Sequence, residues 1–325
     1  MKYRFFTAFF VVLTVCTASV YCGSRMELVN TQEISLENTN SIAVLYGSEQ
    51  ITLCQGNADT LIIKEYMSRD NQDYYAHISN SSGKLTVEKG RRPIGIFFNT
   101  FRARVEVYLP APGTGNIKVR TSSGRIEAEE ALSASAIEVE SSSGSISLNR
   151  ITADTANFET ASGRIRVQEV TAGEIAFSSS SGDIRCEKAQ GNTAIHTKSG
   201  GIVFEYIEGT VSAESSSGRI DLKGVTEAVT VKTTSGAIHC TVTGTVGDIS
   251  LTAASGSVTL AIPRNRGFRF SSRTSSGSLT TPFSDNLSSP LSDRHTAQGL
   301  VGASDASGTV NINTSSGSIR VNWLD

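Results

Sequence analysis

The stretch Ser216-Ser217-Gly218-Arg219-Ile220-Asp221-Leu222 recurs along the chain with small changes: SSGRIEA at 122–128, SSGSISL at 142–148, ASGRIRV at 161–167, SSGDIRC at 180–186, TSGAIHC at 234–240 and SSGSIRV at 315–321. A catalytic motif is needed once, whereas a motif repeated at near-constant spacing describes architecture. Ser-Gly marks fall at Gly124, Gly144, Gly163, Gly182, Gly200, Gly218, Gly236, Gly256, Gly277 and Gly317, and successive spacings up to Gly277 run from 18 to 21 residues.

Two residues after each mark stands an aliphatic side chain: Ile126, Ile146, Ile165, Ile184, Ile202, Ile220, Ile238, Val258, Leu279 and Ile319. The residue four after is also mostly apolar, while those one and three after are mostly polar, so each mark opens a strand with one buried face. A second strand precedes the mark, with apolar residues seven and five before it, as at Ile117 and Val119 or Ile175 and Phe177; near Phe268 and Phe270 this pattern reads as displaced by two residues. Units this short cannot bury a core alone, but stacked they share a continuous one. The chain is therefore expected to be all-β: a single-stranded parallel β-helix, or solenoid, of about ten coils. The crossover preference of parallel strands favours a right-handed coil. An antiparallel sandwich or barrel also alternates, but it need not place the same residue type in one column ten times. Glycine at the corners is expected to take positive φ, and the Ser before it to point inward and satisfy corner amides.

The remaining regions divide the chain into an export signal over 1–24, an N-terminal antiparallel β cap over 25–112 and the solenoid over 113–325, with a loop insertion at about 282–306. In the signal, Lys2 and Arg4 precede an apolar run from Phe5 to Val15, followed by small residues. Cleavage near residues 23–25 leaves no integral membrane span. Cys16 and Cys22 follow Val15 and Tyr21 rather than a small residue, so export to the periplasm or cell surface is preferred, with a lipid or signal anchor as the alternative. Arg91–Phe101, RRPIGIFFNTF, reads either as a loop packed under the cap or as an exposed partner-binding loop.

The run VEVYLPAPGTGNIKVRTSSGRIEAE, residues 105–129, followed by Ser-Gly coils and preceded by weak hairpins, resembles the bacterial putative-adhesin family, a domain of unknown function with β-helical repeats. The resemblance extends from about Ile34 to the C-terminus. It implies an exported, envelope-associated β-solenoid and a link of some relatives to envelope-stress responses. It supplies no catalytic residues, and a shared fold does not carry function with it.

The 325 residues carry 29 basic and 31 acidic side chains, so no general electrostatic footprint for nucleic acid is present. The first functional reading is a non-catalytic envelope protein, an adhesin or scaffold, that offers a β face to a glycan, a surface polymer or an envelope protein. Its local support is the outward set Arg125, Arg164, Arg166, Arg185, Arg219 and Arg320, because guanidinium forks suit carboxylates and phosphates. Glu127, Asp183 and Asp221 share that face, so a solvated mixed-charge surface competes with it. The alternative is a β-helical polysaccharide lyase or hydrolase acting on an anionic glycan, which needs clustered acids. The face offers only Asp183 and Asp221, two coils and roughly 10 Å apart by strand spacing. His196 and His239 stand on different strands, and no serine lies in a nucleophile-elbow context. Ice binding by a threonine array is disfavoured, because Thr121, Thr160, Thr197, Thr233, Thr274 and Thr314 fall on the inward parity. No cofactor and no metal site is indicated. Cys186 and Cys240 share an inward column three coils apart, about 14 Å, beyond disulfide reach, so they are expected to be free thiols.

Overall fold

The computed structural model describes residues 26–57, 59–93, 101–110, 115–264, 267–283, 295–302 and 308–324; the expected export signal, residues 94–100 of the RRPIGIFFNTF segment and most of the 282–306 insertion lie outside them. The N-terminal part holds β1 (Glu27–Ser35), β2 (Ser41–Leu45), β3 (Gln50–Gln55), β4 (Thr60–Met67), β5 (His77–Ser81), β6 (Lys84–Glu88) and β7 (Ala103–Leu109). The coils follow as β8 (Asn116–Thr121), β9 (Ile126–Ser133), β10 (Ala136–Ser141), β11 (Ile146–Thr152), β12 (Thr155–Thr160), β13 (Ile165–Ser179), β14 (Ile184–Thr197), β15 (Ile202–Glu208), β16 (Val211–Ser215), β17 (Ile220–Val225), β18 (Val229–Thr233), β19 (Ile238–Val242), β20 (Ile249–Ala253) and β21 (Val258–Pro263). Last come β22 (Phe268–Thr274), β23 (Leu279–Thr280), β24 (Thr296–Val301), β25 (Gly308–Thr314) and β26 (Ile319–Leu324).

Equivalent strands pair in parallel and in register from coil to coil, as the repeated columns require. Ile146 stacks on Ile165, Ile165 on Ile184, Ile184 on Ile202, Ile202 on Ile220 and Ile220 on Ile238. These residues are buried, as are Ile126, Val258 and Ile319, while Leu279 in the short β23 is only partly buried. Ile151, Val170, Ile207 and Val225 complete the interior as a third buried contact. Within it Phe158, Phe177 and Phe204 form a stack with ring centroids 5.0 and 5.2 Å apart.

The corners work differently from the sequence expectation. None of the ten mark glycines has positive φ; that conformation falls at other glycines, including Gly191 and Gly209. The marks require glycine because the coils approach closely there: a Cβ on Gly182 would lie 1.7 Å from the carbonyl oxygen of Gly163. The serine before each mark is exposed, and at the seven marks from Gly124 to Gly236 the corner amide is satisfied instead by the buried hydroxyl three residues before the glycine, a position that Ala253 occupies ahead of Gly256. Thus Gly144 N–H donates to Ser141 Oγ (2.8 Å), Gly182 to Ser179 (2.8 Å) and Gly200 to Thr197 (3.0 Å). The period of two breaks at the bend, so parity carried forward from the strand misplaces the next serine.

Two strands expected in antiparallel hairpins of the cap, β2 and β3, are parallel to β8 and β9 and form a first coil that lacks the Ser-Gly mark. Its corner is Gly47–Glu49, whose Gly47 carbonyl accepts from Thr121 Oγ1 at 2.7 Å. Antiparallel pairing occurs at β1–β4, β4–β7 and β5–β6. At the far end the stacking order departs from chain order. β20 and β21 pair with β25 and β26, and these in turn pair with β22 and β23. Residues 308–324 therefore lie between the coil of 249–263 and that of 268–280. The insertion contributes β24, antiparallel to β22. The pattern in β22 is not displaced: Phe270 faces Val310 and Ser272 faces Ile312, with Phe268 buried as an additional inward residue.

Candidate anion-binding site

Strands β13, β14, β15 and β17 lie side by side, and the corner and first residues of their coils project Arg164, Arg166, Asp183, Arg185, Gly201, Val203 and Arg219 outward around a shallow recess of about 370 Å³. Four of the six arginines singled out from the sequence thus meet at one place. Arg125 lies two coils away beside Glu127 (2.8 Å), and Arg320 lies on the coil beyond Val258. Arg166 and Arg185 are direct register partners. Like charges placed opposite each other on neighbouring strands repel, so this pair is a local cost to the fold.

Carboxylates offset the charge only in part. Arg164 meets Asp183 at 3.8 Å, Arg166 meets Glu187 at 3.4 Å and Arg219 meets the half-buried Asp221 at 3.6 Å; the arginines are all exposed, and such surface pairs contribute little. Arg185 has no carboxylate within 4.0 Å among the described residues. Lys223, which could add charge nearby, is engaged by Glu205 at 2.9 Å, and this partner raises its pKa. Next to Asp221 in the ladder, His239 is held below its ordinary pKa first by burial and then by Arg219, against the pull of Asp221, so it is neutral at pH 7.

The sequence reading missed Gly201 and Val203, which form the floor. The signal was present: Ser199-Gly200-Gly201 is the one mark followed directly by a second glycine. It also missed a buried polar cluster in the cap. There the fully buried Glu65 accepts from Asn30 Nδ2 (2.9 Å), Ala76 N–H (2.8 Å) and Tyr46 Oη (3.3 Å), and burial nonetheless raises its pKa. Glu49 is also raised by burial, but its hydrogen bond and ion pair with Arg92 outweigh this and leave it lowered. Among the described residues no three His, Cys, Asp or Glu side chains gather as metal ligands, and no helix is long and apolar enough to cross a membrane. Asp183 and Asp221 stand on different coils and columns, each beside an arginine.

The family profile described as Toastrack DUF4097 matches residues 39–227 and 209–322, which together span most of the sequence. The chain belongs to this family. Toastrack domains are β-solenoids of unknown function, in keeping with the ladder above. Three solved structures are similar to this member. A "putative adhesin" from Bacteroides fragilis is 16% identical over 73% of this chain and 97% of its own, with a TM-score of 0.43. A "putative adhesin" from Parabacteroides distasonis is 14% identical over 90% and 96%, also at 0.43. A "putative lipid binding protein" from Parabacteroides distasonis is 12% identical over 91% and 96%, at 0.37. No curated protein matches the sequence.

Proposed function

We propose that this Toastrack protein is a non-catalytic, exported module of the cell envelope that binds an anionic polymer along its solenoid face. The observation that carries the reading is the in-register pair Arg166 and Arg185, joined by Arg164 and Arg219 around one recess. A fold gains nothing from stacking guanidinium groups, whereas an oxyanion ligand gains forked, charge-assisted hydrogen bonds from them. Export is supported by Lys2, Arg4 and the apolar run that follows, and fractionation with protease shaving of intact cells tests it.

Changing Arg164, Arg166 and Arg185 together to Ser is expected to abolish retention on an immobilised acidic polysaccharide with the circular dichroism spectrum unchanged. The variant should melt no lower than the wild type, since it removes the repulsion between Arg166 and Arg185. Retention equal to that of the wild type would overturn the reading.

A further inference from the structure

The mark glycines are forced by coil contact, but Gly201 is not. A Cβ there would meet only Asp183 Oδ1 at 3.5 Å and the Arg219 carbonyl at 3.8 Å, ordinary van der Waals distances, and its φ is not positive. The fold would accept any small side chain at this position. What the missing side chain does is open the floor of the recess, with Arg219 next in its own column and Arg185 diagonally across on the preceding coil.

The geometry points to Gly201 and Val203 as the floor of a subsite that seats an acidic sugar unit of a linear polysaccharide lying along the coil axis, its carboxylate or sulfate held by Arg185 and Arg219. The inference rests on the function proposed above. Val203 gives the C–H face of a sugar ring an apolar surface between the guanidinium groups. Asp183 selects among polyanions. Its carboxylate is fixed in the wall by Gly201 N–H (3.0 Å) and by Arg164. A nucleic acid, with a phosphate at every unit, would press a charge against it, whereas a glycan with spaced charges need not. A flat anionic membrane would also meet Asp183 in the wall, and Glu187 beside Arg166, before reaching the floor.

The test uses the full chain and its Gly201→Ala, Gly201→Leu and Asp183→Asn variants against polygalacturonate, dextran sulfate, neutral dextran and a single-stranded oligonucleotide. The wild type should bind polygalacturonate or dextran sulfate, the arm that responds naming the oxyanion, and should not bind neutral dextran. Gly201→Leu should lose about tenfold or more in affinity and Gly201→Ala less, both melting as the wild type. Asp183→Asn should gain affinity for the oligonucleotide. If the wild type binds an acidic glycan, and loses it with the three arginines, while both Gly201 variants bind unchanged, this inference falls and the proposed function stands. Absence of wild-type binding to both acidic glycans removes both. Wild-type binding to the oligonucleotide as strong as to the glycans overturns the assignment to sugar.

Discussion

Thr197 and Ser199 stand two residues apart and both carry a hydroxyl, yet only one holds the fold. Thr197 is fully buried and accepts the amide of Gly200 at 3.0 Å, while Ser199 faces solvent. Thr197→Val keeps the shape and removes the acceptor, stranding a buried N–H at a cost of about 1–3 kcal/mol. Ser199→Ala should change stability by no more than about 0.5 kcal/mol. Urea denaturation of the two variants checks the contrast, and equal effects would mean that the corner is wrongly assigned. The invariant Ser-Gly pair made the corner legible in sequence, but not which hydroxyl served it. Alternation predicts facing only while the chain stays extended, and the chain bends over 198–200, directly after Thr197. Gly182 was likewise legible as a corner, while its reason was not: close approach of Gly163 is a contact between coils, and no local signal reports it.

Among the strands, the ladder Cys186, Phe204, Leu222, Cys240 follows directly from in-register pairing of β14, β15, β17 and β19. Two residues intervene in that column, so the cysteines are free, as the column spacing had implied. Burial pushes each thiol up to about 12 from an ordinary value of 9.0. Below pH 9 both thiols are protonated in the folded and unfolded chains, and the stability is fully present. Between pH 9 and 12 the unfolded chain releases protons that the folded one retains, so stability falls with rising pH, by up to about 1.4 kcal/mol per unit for each thiol. Thiol reagents at pH 8 should therefore leave Cys186 and Cys240 unmodified until the protein is unfolded. Replacing both with Ala should flatten the alkaline decline measured by denaturant titration. A decline as steep as the wild type's would assign the pH dependence to other groups. The columns made this ladder readable because each strand has one partner type on either side. The arginine recess was readable only in part: the guanidinium columns stood out, but Gly201 drew no notice beside a glycine at every mark.

At the scale of the molecule the columns determine that coils stack, but not in which order. Most coils present a similar apolar inward pattern to both of their neighbours, so exchanging two of them leaves the ladder contacts largely apolar. What distinguishes the coil of 268–280 is that it closes an end. β22 carries β24 along its length, and Phe268 and Phe270 pack with Phe283 and Trp323 at centroid distances from 4.8 to 6.4 Å. The coil of 308–324, with Val310 and Ile312 facing inward, is suited to neighbours on both sides and occupies the position between β20 and β22. The order is open to a covalent test on outward residues. Ser250 and Asn311 are register partners, as are Ser271 and Asn311, whereas Ser250 and Ser271 are separated by a whole coil. Neighbouring strands lie about 4.8 Å apart, within the span of a disulfide, and strands two apart lie about 9.6 Å from each other, beyond it. On mild oxidation, Ser250→Cys with Asn311→Cys should bridge and raise the melting temperature, while Ser250→Cys with Ser271→Cys should remain reduced. A bridge in the second variant and none in the first would place 268–280 directly on 249–263 and return the stack to chain order.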